Sequence, residues 1–421
     1  MLKFGGAALA DSVGIRRACE LVQRNGGAAP IVVVSAALGV TELLEGLWRE
    51  AASGARREDP DPARLVRIRH RTLQSELGLD AEFLDRHLRE LAWILAALGE
   101  RETPSPADRD HVLSFGERMS ARVVAACLSR RGLAATPVDA FDLGLVSDSN
   151  HGRARPLPET ARRVQRALAG VPGIPVVTGF VAVDAAGRLT TLGRNGSDLS
   201  ASLIGAAVGA SEVQFWKSVG GILTADPALV PAARPIPHLD YARAAEFARY
   251  GARVLHPDAL EPLRAAGIPA RVLCFAETCA GDTRIDGDGR GAQAAGLAAE
   301  RGWAEVRGAA ADARPPGALS CPGGFLAPWN DKFAGALSGG ASVEVQPGWA
   351  RIAALWTADE SPRGAEVLAR AGIEVRAARL DGRSTELLVV RERDLEAAAR
   401  SLHEEMIESA PTRPAARAAT A

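Results

Sequence analysis

Within its first 35 residues the chain sets out a short strand, a glycine turn, a helical stretch and then four consecutive aliphatic β-branched residues, Ile31-Val32-Val33-Val34. A strand apolar on both faces is one covered on both faces, as happens when helices sandwich a parallel sheet. This βαβ opening (1–4, about 11–24, 31–34) commits the N-terminal region to an α/β architecture. Helical patterns follow over 41–57, 63–77, 81–98 and 108–131, separated by Pro60 and Pro62, Gly78, and Gly99 with Pro104 and Pro106. A second series then predicts strand 175–183, helix 197–208, strand 213–216, helix 241–250 and strand 270–275.

The spacing places one domain over 1–285, a glycine-rich linker over 286–296 and a second region over 297–408. In that second region 351–406 reads as strand, helix, two strands and helix, a small α+β module. Residues 297–343, rich in Gly, Ala and Pro, read as a degenerate second copy, and 409–421 as a disordered tail.

At 421 residues with 47% hydrophobic content the chain is long enough for two or three cores. Its 50 basic residues against 51 acidic ones leave no field to attract nucleic acid or an anionic membrane. The expected partners are therefore small molecules or the chain's own subunits. It opens without a basic segment and apolar run, and lacks an uninterrupted apolar stretch of roughly 18 residues, so it reads as cytoplasmic. Cys19, Cys127, Cys274, Cys279 and Cys321 lack metal-ligand spacing, and they read as incidental thiols rather than a metal cage or disulfide framework.

Only three of the basic residues are lysines. Lys3 begins Lys3-Phe4-Gly5-Gly6, where a compact ammonium beside glycines suits a moving phosphoryl group; a chance survivor at a frayed terminus is the plainer reading. Ser35-Ala36-Ala37-Leu38-Gly39-Val40-Thr41 follows the second strand, where open α/β sheets bind ligands, although a helix cap alone explains one hydroxyl. Ser114-Phe115-Gly116-Glu117 puts a carboxylate beside a glycine that interrupts a helical stretch. It is either a surface acid on a weak turn or an acceptor for a substrate ammonium. Thr190-Thr191-Leu192-Gly193-Arg194-Asn195-Gly196-Ser197-Asp198 forms a strand-to-helix turn whose free N–H groups favour anions. There Arg194 can grip a carboxylate, and Asp198 either offsets the helix dipole or orients Lys3. The second lysine, Lys217, precedes Ser218 and a loop through Thr224, Ala225, Asp226 and Pro227 that suits a nucleotide or is a plain exposed hairpin. His256, in Gly251-Ala252-Arg253-Val254-Leu255-His256-Pro257, reads as structural rather than as a base.

Taken together and in order, these segments resemble the aspartate kinase family over residues 3–257, and the C-terminal module is similar to that family's ACT-type regulatory domains. The resemblance implies an amino-acid-kinase fold followed by an ACT-like domain, and ATP-dependent phosphorylation of the side-chain carboxylate of L-aspartate to 4-phospho-L-aspartate. Lys3, Asp198, Arg194 and Glu117 would be the catalytic set. Ser35, Thr41, Glu117, Arg194 and Ser197 would hold the substrate. Lys3, Gly5, Gly6, Lys217, Ser218, Thr224, Asp226 and Arg253 would lie along ATP, whose phosphates would carry Mg²⁺ without a protein cage. A homodimer or larger homo-oligomer is also implied. A kinase for a related amino-acid carboxylate and a non-catalytic homologue are the alternatives.

The chain departs from the family pattern at Ala7 and Ala8, where hydroxyl residues are usual, and at Asn195, where glycine is usual. It also departs at Ser218, Gly220 and Ala228, where acids and an arginine are usual. Arg253 replaces a lysine and Cys274 an asparagine. Glu374 follows Gly372-Ile373 where an amide would help hold an amino-acid effector, so feedback inhibition is expected to be altered or lost.

Overall fold

The computed structural model describes residues 1–409 except 26, 28, 54–60, 102, 252–253, 277–278, 280, 288–294, 309–313, 331–332, 334–342, 358–359 and 383. The expected tail beyond 409 and most of the expected linker thus lie outside the described residues. The chain groups into two compact units, Met1–Gly221 with Val254–Gly287, and Ile222–Arg253 with Asp288–Ala421.

The first unit opens with β1 (Leu2–Phe4), α1 (Ser12–Asn25), β2 (Val32–Val34), α2 (Val40–Ala52), α3 (Arg64–Leu77), α4 (Asp85–Gly99) and α5 (Pro106–Arg130). It continues through β3 (Ala135–Val138), α6 (Thr160–Leu168), β4 (Ile174–Thr178), β5 (Val181–Val183), β6 (Leu189–Thr191), α7 (Gly196–Val208) and β7 (Val213–Lys217). Residues 222–253, with β8 (His238–Leu239) and α8 (Tyr241–Tyr250), group with the second unit. The first unit then resumes with α9 (Pro257–Ala266), β9 (Ala270–Cys274) and β10 (Asp282–Ile285). Its main sheet runs β3-β4-β2-β1-β7-β9-β10, parallel except where β10 meets β9. As the valine run requires, Val32, Val33 and Val34 are fully buried.

Two local expectations are corrected. The stretch 175–183 is two strands, because Phe180 takes a left-handed backbone (φ 67°) and turns the chain away from the sheet. Ser200 Oγ holds that turn by accepting the Phe180 N–H at 2.9 Å. Gly116 is not a weak turn, for α5 runs unbroken for 25 residues from the capping box of Ser105 and Asp108. Its glycine serves packing instead: a Cβ there would lie 2.6 Å from Ala36 Cβ, so the missing methyl lets α5 approach the loop after β2. The cysteine expectation also changes. Cys274, which ends β9, is disulfide-bonded to Cys279, with their Cα atoms 6.0 Å apart. His256 has the structural role expected of it, capping α9 with Nδ1 accepting the Asp258 N–H.

The second unit comprises 222–253 and β11 (Gly296–Arg307), β12 (Leu319–Cys321), β13 (Gly324–Pro328), β14 (Glu344–Leu355), α10 (Gly364–Arg370), β15 (Val375–Asp381), β16 (Thr385–Arg391) and α11 (Leu395–His403). Strands β11 to β16 form one antiparallel sheet in the order β12-β13-β11-β14-β16-β15. The expected strand-helix-strand-strand-helix order appears as β14 to α11. Ile352, Ala354, Leu388 and Val390 form a core with Leu368, Leu395 and Leu402, to which Leu229 and Val230 of the 222–253 segment also belong. Arg243 of that segment donates to the Trp356 carbonyl, further tying it to this unit.

Candidate active site

Four parallel strands of the first unit end on one side of the sheet, and the turns that follow them surround a cavity of about 570 Å³. Phe4 leads into Gly5 and Gly6, Val34 into Ser35, Thr178 into Gly179 and Lys217 into Ser218. Open α/β sheets place their ligands at this carboxyl edge, and β1 sits where the chain order reverses, with β2 on one side and β7 on the other.

The centre of the cavity is a carboxylate between two ammonium groups. Asp198, 1% exposed in the first turn of α7, has Lys3 Nζ at 2.6 Å from Oδ1 and Lys217 Nζ at 2.6 Å from Oδ2. Register explains the convergence: Lys3 pairs with Phe215 in the parallel β1–β7 ladder, which puts Lys217 two residues further towards the carboxyl edge. Burial alone would push the Asp198 carboxyl up, but the two lysines hold it below its ordinary range. Burial lowers the Lys217 ammonium, with Asp198 opposing and Lys3 adding to that effect.

The turn into α7 is built by Gly193 (φ 76°) and Asn195 (φ 59°), so the asparagine at the family's glycine position does adopt the left-handed backbone it tolerates. Within the turn the Gly196 N–H donates to the Gly193 carbonyl and the Asp198 N–H to the Asn195 carbonyl, each at 2.9 Å, and the exposed Arg194 and the buried Ser197 line the cavity. Gly179 makes room for Ser197, since a Cβ there would lie 2.5 Å from the serine Cβ. Gly6 is required in the same way: a Cβ would approach the Ala36 carbonyl to 2.9 Å.

Glu117 reaches the cavity from the middle of α5. It is 3% exposed, and burial pushes its carboxyl up to about 8, against the N–H of Ala36, its own N–H and the charge of Lys3. Its Oε2 is buried without a hydrogen-bond partner among the described residues. A buried acceptor of this kind costs about 1–3 kcal/mol until it is paired, which fits a group that meets a cationic ligand. Ser114, by contrast, donates to the His111 carbonyl inside the helix.

The structure therefore gathers Lys3, Gly5, Gly6, Ser35, Thr41, Glu117, Arg194, Ser197, Asp198, Lys217 and Ser218 around one cavity. Thr224 and Asp226 lie in the second unit. There the Thr224 hydroxyl is 2.9 Å from His403 Nε2 and accepts the Arg234 N–H, while Asp226 accepts the Ala228 N–H. Arg253 is outside the described residues. Glu42, Arg109, Gly152, Phe180, Thr191 and Trp216 also line the cavity and were not singled out as site residues in the sequence. Thr191 stood inside the 190–198 motif without being assigned a role, whereas Arg109 and Gly152 carried no local signal. Among the described residues no group of three or more His, Cys, Asp or Glu side chains could hold a metal ion, and no helix is long and apolar enough to cross a membrane.

The model of the amino acid kinase family matches residues 1–274. Chloroplastic aspartokinase 1 of Arabidopsis thaliana is 34% identical over 279 residues, covering 65% of this chain and 49% of its own length. Lysine-sensitive aspartokinase 3 of Escherichia coli is 34% identical over 288 residues, covering 67% of this chain and 63% of that protein. The chain thus spans about half the length of the plant relatives it matches. Among solved structures, Escherichia coli aspartokinase III in complex with aspartate and ADP, in its R-state, superposes with a TM-score of 0.77 at 26% identity, over 96% of this chain and 99% of that one. The same enzyme in complex with lysine and aspartate, in its T-state, gives a TM-score of 0.78 at 25% identity and the same coverage.

Proposed function

The chain belongs to the amino acid kinase family, and from that premise we propose that it transfers the γ-phosphoryl group of ATP to the side-chain carboxylate of L-aspartate. The observation that carries this reading is the pair of lysines meeting Asp198 at the head of α7, in the same cavity as Glu117 and Arg194. Phosphoryl transfer asks a protein mainly to align two oxygens and to neutralise charge spreading over the phosphoryl oxygens. Lys3, Lys217 and the α7 N-terminus supply that charge. Asp198 keeps both ammonium groups in place between turnovers, and each can turn towards a phosphate oxygen without leaving the carboxylate.

The acceptor substrate brings its own nucleophile, because a free carboxyl with a pKa of about 4 is ionised at neutral pH. No general base is required. One carboxylate oxygen attacks the γ-phosphorus, the new O–P bond forms as the bond to the β-phosphate oxygen breaks, and ADP leaves with the electron pair. Mg²⁺ arrives on the nucleotide as part of that substrate. Glu117 receives the ammonium of the acceptor and Arg194 its α-carboxylate, with Ser35, Thr41 and Ser197 completing the pocket. These groups leave the side-chain carboxylate of a four-carbon amino acid to meet the phosphate. Gly5, Gly6 and Ser218 are assigned to the nucleotide side of the cavity, and Thr224, Asp226 and Arg253 complete that assignment from the sequence resemblance alone. The chain acts as a homodimer or larger homo-oligomer in this reading.

Regulation by amino-acid effectors is altered in the same reading. Supporting it, Glu374 puts a carboxylate after Gly372-Ile373, where an amide would help hold an amino-acid effector. Release of ADP is the test of the catalytic claim. With MgATP the purified chain should turn over on adding L-aspartate and far less with L-glutamate, L-asparagine or no amino acid. Equal ADP release with and without aspartate from folded protein would sink the proposal, and preference for another amino-acid carboxylate would reassign the acceptor substrate.

A further inference from the structure

Seven residues before Glu117 on α5 lies Asp110, which is wholly buried and plays no part in the chemistry above. Seven residues are close to two helical turns, so both carboxylates project from the same side of α5, about 10 Å apart along its axis. Asp110 gathers hydrogen bonds from two distant segments. Oδ2 accepts the Gly152 N–H at 2.8 Å and the Thr191 N–H at 3.0 Å, and Oδ1 accepts the Thr191 hydroxyl at 2.8 Å. His151 Nδ1 lies 3.3 Å from Oδ2 and Arg109 Nη1 3.5 Å from Oδ1. The far edge of the 148–153 turn is fixed as well, with the Ser149 hydroxyl donating to Asp184 at 3.0 Å.

What Asp110 fastens is cavity wall. Gly152 and Thr191 both line the cavity, and Thr191 ends the strand that turns three residues later into Arg194. Gly152 also abuts that turn, its carbonyl only 3.3 Å from where a Cβ on Gly193 would sit. We propose that Asp110 is a positioning residue for the acceptor side of the site: its carboxylate ties the Glu117 helix to the Gly152 turn and to Thr191, and so sets the gap between Glu117 and Arg194. Burial raises the Asp110 carboxyl while the Gly152 and Thr191 donors oppose that rise, consistent with a carboxylate dedicated to local hydrogen bonds. This role rests on the reading of Glu117 and Arg194 as the groups that grip the amino-acid substrate.

The full chain carrying Asp110→Ala tests it, because the methyl side chain accepts none of the hydrogen bonds from Gly152 and Thr191. KM for L-aspartate should rise tenfold or more while KM for MgATP stays within twofold. Hydrogen exchange should quicken in peptides covering 148–155 and 188–196 while peptides from β1 and β2 keep their protection. Thr191→Val, which removes only the hydroxyl bond, gives a folded intermediate case with a smaller rise in aspartate KM. A general loss of packing would instead move both KM values and exchange throughout the unit, and that result, or unchanged exchange in the two peptides, overturns the proposal. Exchange needs no turnover: a wild-type chain inactive on aspartate refutes the substrate reading, while the two peptides still decide whether Asp110 is the anchor.

Discussion

Replacing Glu117 with glutamine should stabilise the protein and damage its substrate site at once. Burial holds the Glu117 carboxyl at about 8, against an ordinary 4.5. Between these values the folded chain keeps a proton that the unfolded chain has released, so the folded state binds more protons and stability falls as pH rises. At pH 7 the interval from 4.5 is about 2.5 pH units, or roughly 3 kcal/mol at 1.36 kcal/mol per unit. Glu117→Gln removes that penalty. In thermal melts without ligands its midpoint should exceed wild type by several degrees at pH 7, and the gain should shrink towards zero near pH 4.5.

The same titration governs binding, since an ammonium group needs the ionised form. At pH 7 a carboxyl with a value of about 8 is about nine-tenths protonated, so the acceptor substrate must displace a proton. In steady-state assays kcat/KM for aspartate should climb close to tenfold per unit from about pH 6 to 7 and level off above 8. The glutamine variant should lose this slope and, at pH 8.5, lie about 2–5 kcal/mol below wild type, a factor of roughly 30 to a few thousand. A wild-type slope retained in Glu117→Gln, or a variant less stable than wild type at pH 8, would refute the reasoning.

Gly116→Ala gains helix propensity but places a methyl 2.6 Å from Ala36 Cβ, so denaturant unfolding should show a loss of about 1–3 kcal/mol together with a raised aspartate KM. Asp198→Ala leaves the buried Lys3 ammonium without its ion pair; the expected loss is about 3–5 kcal/mol of stability, with turnover falling to background in the ADP assay. Arg194→Lys keeps the charge but not the bidentate grip, and should raise aspartate KM by about tenfold or more, corresponding to about 1.5–3 kcal/mol for a charge-assisted contact, with MgATP KM unchanged. Millimolar lysine plus threonine should leave the wild-type rate unaltered, and clear inhibition would overturn the altered-feedback proposal.

The legible parts of this chain are those in which chemistry and local structure coincide. The Ile31–Val34 run could be placed in a sheet covered on both faces because its pattern is local, and Lys3, Arg194 and Asp198 stood out because each sits in a short glycine-containing motif at the junction of a strand and the turn or helix that follows it. What escaped depends on distance along the chain. Asp110 meets Gly152 and Thr191 across 42 and 81 residues, and a carboxylate in a helix offers no sign of such partners. Phe180 looked like mid-strand because its left-handed backbone is held by Ser200, a contact made only after folding. Gly116 read as a weak point because its neighbour, Ala36, belongs to another segment. The grouping of 222–253 with the C-terminal sheet depends on Leu229, Val230 and Arg243, whose partners begin beyond residue 290.

The most direct test of the central claim is chemical trapping of the product. Acyl phosphates react with hydroxylamine, so the purified chain incubated with MgATP, L-aspartate and hydroxylamine should accumulate aspartyl hydroxamate, and Lys3→Ala, folded by circular dichroism, should form little or none. Absence of hydroxamate from folded wild-type protein, or equal amounts from the Lys3→Ala chain, would contradict carboxylate phosphorylation at the Lys3–Asp198–Lys217 centre.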